Sequence, residues 1–121
     1  MIMVETDLER DLLTVTYCGH VVAEEFGPAL KEIEEGLGKL QSGFRLLTDL
    51  GGLEAMDVAC APLIDEAMDL IDCRGVSMVV RIVPDPRKDI GFMVMSLFHY
   101  GPQVNVVTCE TAEEAQRALG D

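Results

Sequence analysis

The spacing of hydrophobic residues along the chain switches several times between the period of a strand and the period of a helix. Residues 12–18 alternate apolar and polar side chains, with Leu13, Val15 and Tyr17 in phase, which predicts a strand. From residue 26 to residue 40 the apolar residues recur three or four positions apart, which predicts an amphipathic helix. The order of these switches therefore predicts the order of the secondary structure.

The same criteria divide the rest of the chain. Strands are predicted over residues 3–6, 12–18, 44–50, 76–83 and 104–109, and helices over 26–40, 57–73, 89–100 and 111–119. The order ββαβαβαβα predicts an α/β fold with a mixed, mostly parallel sheet, in which the first hairpin supplies an antiparallel edge. A length of 121 residues is expected to form a single domain over 1–121.

Turn and cap residues mark the expected ends of these elements. The polar segment Leu8–Asp11 is short enough for a hairpin, and Gly51-Gly52 predicts a turn that closes the third strand. Asp57 is expected to cap the second helix and Gly75 to end it. The sequence Thr111-Ala112-Glu113-Glu114 fits a capping box at the start of the last helix.

Composition narrows the classes of function. The net charge of −13 disfavours nucleic acid and anionic membrane surfaces as partners. No apolar run reaches the ~20 residues of a membrane span, and Met1–Glu9 lacks the basic start and apolar stretch of a signal peptide, so we expect a cytoplasmic location. The four cysteines form no Cys-x-x-Cys pair and are expected to be free thiols, and no cofactor motif is present.

One segment suggests a family. Residues 46–57 end a strand in Asp49-Leu50, continue through a short loop and reach Asp57 at the start of a helix. This arrangement, together with the last strand at Val104–Thr108 and the helix that follows it, resembles the STAS domain family, which includes the bacterial anti-sigma factor antagonists. The resemblance extends along nearly the whole chain. It implies a STAS-like fold and a non-enzymatic regulatory module that binds another protein.

The sequence departs from this family at the position that regulates it. Regulated members carry a phosphorylatable serine directly after the aspartate, whereas Val58 follows Asp57 here, and valine cannot accept phosphate. Ala59 and Cys60 replace the small hydroxylic residue and the glycine that usually follow. The resemblance implies that Asp57, Val58, Ala59 and Cys60 form a partner-binding surface, which we expect not to be switched by phosphorylation at this position.

Cys60 has two interpretations. At the start of a helix, unpaired amide groups can stabilise a thiolate, which would make it a candidate nucleophile of a thiol-dependent enzyme. Its place in the apolar stripe favours a buried core residue, and no spacing links it to His20 or His99 as a base. Cys18 and His20 could supply two metal ligands, but no second pair follows at zinc spacing, so we expect no metal site.

Arg81 is a cation inside an apolar run. Charged groups inside a sheet need a partner, and Asp49 is the expected one. The alternatives are an exposed sheet face or an anion-binding role.

The third predicted helix contains a stretch without any charged residue. Residues 90–101 are uncharged throughout. A helix that is apolar all round is either buried on all sides or faces something other than water. Its candidate interface or ligand-binding residues are Phe92, Met93, Met95, Phe98 and Tyr100. They suit a homodimer contact, another protein partner, or a small apolar molecule or lipid.

Overall fold

The structure is a computed structural model and describes residues 1–83 and 104–120. Within these residues the strands are β1 (Ile2–Asp7), β2 (Leu12–Val21), β3 (Arg45–Met56), β4 (Met78–Ile82) and β5 (Asn105–Cys109). The helices are α1 (Phe26–Lys39), α2 (Ala61–Cys73) and α3 (Ala112–Leu119). Single 3-10 turns at Ala23–Glu25 and Val58–Cys60 lead into α1 and α2. The helix predicted over 89–100 lies outside the described residues.

The described strands form one sheet in the order β1-β2-β3-β4-β5. β1 pairs with β2 antiparallel, and the pairs β2–β3, β3–β4 and β4–β5 are parallel. The prediction of an α/β fold with an antiparallel edge hairpin is confirmed.

Helices cover both faces of the sheet. Alternate strand residues point to opposite sides, so that each face presents apolar side chains to a helix. On one face Leu13, Leu46 and Val79 pack with Ile33 of α1 and Ile64 of α2 in the larger hydrophobic core. On the other face a second cluster joins the sheet to α3. Its buried members are Leu12, Leu47, Val80, Ile82, Cys109, Ala115 and Leu119. The helices α1 and α2 therefore lie on the same side of the sheet.

The predicted turn at Gly51-Gly52 is wrong, since β3 continues through both glycines to Met56. β2 likewise continues to Val21, and the two strands remain paired by two register shifts, one between Thr16 and Cys18 and one between Gly19 and His20. Gly52 lies opposite Cys18, and a Cβ atom there would stand 3.2 Å from the Cys18 Cβ. Gly52 therefore allows two strands to approach each other closely and does not reverse the chain.

The other predicted ends agree better with the structure. The hairpin turn spans residues 8–11, and Gly75 follows α2 with a left-handed φ of +86°. Thr111 Oγ1 accepts a hydrogen bond from Glu114 N at 3.2 Å, as a capping residue should. The carboxylate of Glu114 accepts from Glu110 N at 3.3 Å, so the return bond of the capping box goes one residue earlier than predicted.

The predicted Arg81–Asp49 pair is wrong. Arg81 lies in register with Thr48 and Thr108, whereas Asp49 lies in register with Ile82, so the two charged side chains leave opposite faces of the sheet. Arg81 Nε donates to Thr108 Oγ1 at 2.8 Å, and Asp49 Oδ1 accepts from Gly51 N at 2.9 Å. Each charged group thus finds polar contacts on its own face.

Candidate functional site

The candidate site lies where β2 and β3 end and the chain enters α2. His20 and Val21 pair with Ala55 and Met56 at the carboxyl ends of two parallel strands. Directly after Met56, Asp57 opens the 3-10 turn that precedes α2. The carboxyl ends of parallel strands are where α/β proteins usually place their binding residues.

Backbone hydrogen bonds attach this turn to β2. Asp57 N donates to Val21 O at 3.1 Å, and Cys60 N donates to Asp57 O at 3.0 Å. The Cys60 thiol points to the same carbonyl of Val21, with its sulfur 3.7 Å from the oxygen. The turn is therefore held on the sheet from both ends.

The Asp57 side chain has a different role from the one predicted. Asp57 occupies the N-cap position, but its side chain makes no capping hydrogen bond. Its Oδ1 atom instead lies 2.6 Å from Nε2 of His20. The prediction of a side-chain cap is wrong, because the carboxylate turns to the imidazole at the end of β2 and makes no bond to the amides of the turn.

The four predicted partner-binding residues separate into two groups. Asp57, Val58 and Ala59 are exposed, and Val58 is 82% exposed although its side chain is wholly apolar. Cys60 has no exposed surface and points inward. The inclusion of Cys60 in a contact surface is wrong, since a fully buried side chain cannot touch a partner.

Burial also decides between the two interpretations of Cys60. Removal from water raises the pKa of its thiol, and the neighbouring carboxylate of Asp57 raises it further. Because the thiolate is the nucleophilic form, these surroundings oppose reactivity. The core interpretation of Cys60 is confirmed.

Glu25 is the best connected acidic side chain near the site. Its Oε2 atom accepts from Val22 N at 2.9 Å, and its Oε1 atom lies 3.0 Å from the amino group of Met1. The bond from Val22, followed by the contact with that amino group, lowers the pKa of Glu25. Glu24 and Glu25 also act electrostatically on the Cys60 thiol, so carboxylates surround the start of α2.

Two further features bear on the expected partners. Among the described residues, no three His, Cys, Asp or Glu side chains are grouped so as to hold a metal ion, and His20 is engaged by Asp57. No helix in residues 1–83 and 104–120 is long and apolar enough to cross a membrane.

The site contains one contact that the sequence pattern does not predict. The sequence suggests His20 as a metal ligand or a base for Cys60, and no periodic or motif signal joins it to Asp57, 37 positions later in the chain. The second set of candidate residues, Phe92, Met93, Met95, Phe98 and Tyr100, lies outside the described residues.

No protein-family model matches the chain, and no curated protein is similar enough in sequence to count as a match. Solved structures do match it. The anti-sigma factor antagonist SpoIIAA in its unphosphorylated form shares 15% identity, with 100% of both chains covered and a TM-score of 0.67. An uncharacterized protein from Shewanella loihica with a SpoIIAA-like fold shares 18% identity, with 98% of this chain and 92% of that chain covered and a TM-score of 0.67.

The chain has a STAS-like fold. The Bacillus cell fate determinant SpoIIAA in its phosphorylated form is similar as well, at 17% identity over 98% of this chain and 99% of that chain, with a TM-score of 0.64. At such identities the likeness establishes the fold alone. The fold expected from the resemblance to the STAS family is thereby confirmed.

Proposed function

We propose that this STAS-like chain is a non-enzymatic regulatory module that binds a protein partner through Asp57, Val58 and Ala59. The 82% exposure of Val58 carries the proposal. Burying a valine side chain contributes roughly 1.5–3 kcal/mol, which a partner can gain at this position. The similarity of the fold to an anti-sigma factor antagonist supports a protein as the binding partner.

Val58 is exposed on a defined backbone rather than on a loose loop. Hydrogen bonds to Val21 and within the turn hold the residues on both sides of it. The contact between His20 and Asp57 adds a side-chain tie next to it. A preorganised contact loses little conformational entropy on binding, which favours recognition at this turn.

The proposed binding is independent of phosphorylation at this turn. Residues 55–62 contain no serine, threonine or tyrosine. SpoIIAA is known in an unphosphorylated and a phosphorylated form. This chain has a similar fold, but no hydroxyl is available for phosphorylation at the start of its α2. The module therefore binds its partner without this switch.

The alternatives that depend on residues 90–101 stay predictions. A homodimer contact, an apolar small molecule and a lipid all follow from that uncharged stretch, which lies outside the described residues. The expected cytoplasmic location and the expected lack of nucleic-acid binding likewise stay predictions.

Affinity capture from the native host tests the proposal, with Val58→Asp as the variant. A carboxylate at an 82% exposed position leaves the fold intact but opposes burial against an apolar partner surface. We expect the variant to lose a protein that the unaltered chain captures, by about tenfold or more in quantitative mass spectrometry.

The matched control is Leu8→Asp, which places the same charge at another exposed apolar residue, 60% exposed in the β1–β2 turn. It should capture the same protein as the unaltered chain. Equal capture by Val58→Asp and Leu8→Asp would contradict the proposal.

A further inference from the structure

We infer that the partner at Val58 carries apolar side chains flanked by lysine or arginine, and that it is not a second copy of this chain. This inference rests on the proposed function and names the chemistry of its partner. It is drawn from the exposed face of α2, the helix that follows the turn with Val58.

The 3-10 turn that exposes Val58 leads directly into α2, and one face of α2 is acidic. Pro62, Asp65, Asp69 and Asp72 follow one another at helical spacing, and all of them are exposed. At a rise of 1.5 Å per residue, Asp65 lies about 6 Å and Asp69 about 12 Å along the axis from the first residue of the helix. An exposed apolar side chain is thus followed in the chain by a helix face with carboxylates.

The helix itself gains nothing from these carboxylates. Asp65 and Asp69 are four positions apart, where like charges repel. Asp72 lies near the carboxyl end, where the helix dipole disfavours an anion, and the nearest cation along the chain is the C-cap residue Arg74. A cation from a partner would relieve this repulsion, and the exposed Val58 in the turn directly before α2 favours a protein as the source of that cation.

The neighbouring helix adds only a small excess of negative charge. α1 packs on the same face of the sheet as α2 and exposes Glu32, Glu34 and Glu35 together with Lys31 and Lys39. Two copies of the chain, each with a net charge of −13, would place like charges against each other here. Lysine and arginine side chains gain from this potential, both in their approach and in the bound state.

Selection from a phage library of random peptides, with the whole protein immobilised, tests the inference through the chemistry of the peptides that bind. We expect the enriched peptides to combine bulky apolar residues with lysine or arginine. Their affinity should fall about tenfold or more in Val58→Asp and about fivefold in the double variant Asp65→Asn/Asp69→Asn. It should also fall as salt is raised from about 0.05 to about 0.3 M.

The matched control is Glu9→Gln/Glu113→Gln, which removes two exposed negative charges far from α2 and should leave the affinity unchanged. Enriched peptides that depend on Val58 but lack lysine and arginine would overturn this inference and leave the proposed function standing. Failure to enrich any peptide that depends on Val58 would count against both. A dimer in sedimentation velocity that dissociates in Val58→Asp would show that a second copy is the occupant.

Discussion

A single cysteine illustrates how position in the sequence and position in space differ. Cys60 stands just before α2, where a thiol could meet free amide groups, and it also continues the apolar stripe of that helix. The structure turns the side chain into the core, 3.7 Å from the carbonyl oxygen of Val21. Two residues of the same turn therefore have opposite roles, since Cys60 anchors it and Val58 is displayed by it.

The rate of alkylation should distinguish the buried thiols from the exposed one. The free thiols of Cys60 and Cys109 are buried and their pKa values are raised, mainly by burial, whereas Cys73 is exposed. We expect iodoacetamide at neutral pH to modify Cys73 first, and Cys60 and Cys109 only after denaturant is added. Peptide mass spectrometry measures the order. Labelling of Cys60 as fast as Cys73 in the folded protein would revive the thiol-enzyme hypothesis.

At the scale of an element, α1 carries three glycines, and the two near its carboxyl end look equivalent in the sequence. Gly36 is buried, and a Cβ atom there would meet Thr6 Oγ1 and lie 3.2 Å from Leu13 Cδ1. Gly38 is exposed, and its nearest contact would be Arg74 at 3.9 Å. One glycine lets the helix approach the β1–β2 hairpin closely, and the other only weakens the helix.

Replacement of each glycine by alanine should therefore have opposite effects on stability. Gly38→Ala is expected to raise the free energy of unfolding by about 0.5–1 kcal/mol, since alanine favours a helix more than glycine does. Gly36→Ala is expected to lower it by about 1 kcal/mol or more, because Thr6 and Leu13 must move. Urea denaturation monitored by circular dichroism measures both. Equal changes in the two variants would show that α1 does not pack closely at Gly36.

For the whole molecule, the net charge of −13 links stability to pH through its carboxylates. Exposed carboxylates lie along α1 and α2, which share one face of the sheet. Glu25 differs from them, because the backbone bond from Val22 and the amino group of Met1 favour its ionised form in the fold. Its pKa is therefore lower in the folded than in the unfolded state.

This difference gives a pH dependence with a definite sign. A lowered pKa contributes stability above the unfolded value, about 4.3 for glutamate, and that contribution is lost as the pH falls through the lower folded value. Glu25→Gln should therefore reduce the free energy of unfolding at neutral pH and flatten its decline below about pH 5. Urea titrations across this range measure it, with the exposed Glu24→Gln as control. An acid decline as steep as in the unaltered protein would show that Glu25 does not contribute.

Local patterns in the sequence determined the order of strands and helices over the described residues, and with it the α/β class. They could do so because side-chain period depends on neighbours only a few positions away. The expectation that Val58 replaces a phosphorylatable serine came from the resemblance to the STAS family and not from these patterns.

Only the tertiary structure decided how distant segments meet. The extension of β3 through Gly51 and Gly52 depends on two register shifts against β2. The contact of His20 with Asp57 and the separation of Arg81 from Asp49 depend on which strand residues share a register and a face. A shift of one residue moves a side chain to the opposite face of a sheet, and no local pattern in the sequence specifies that register.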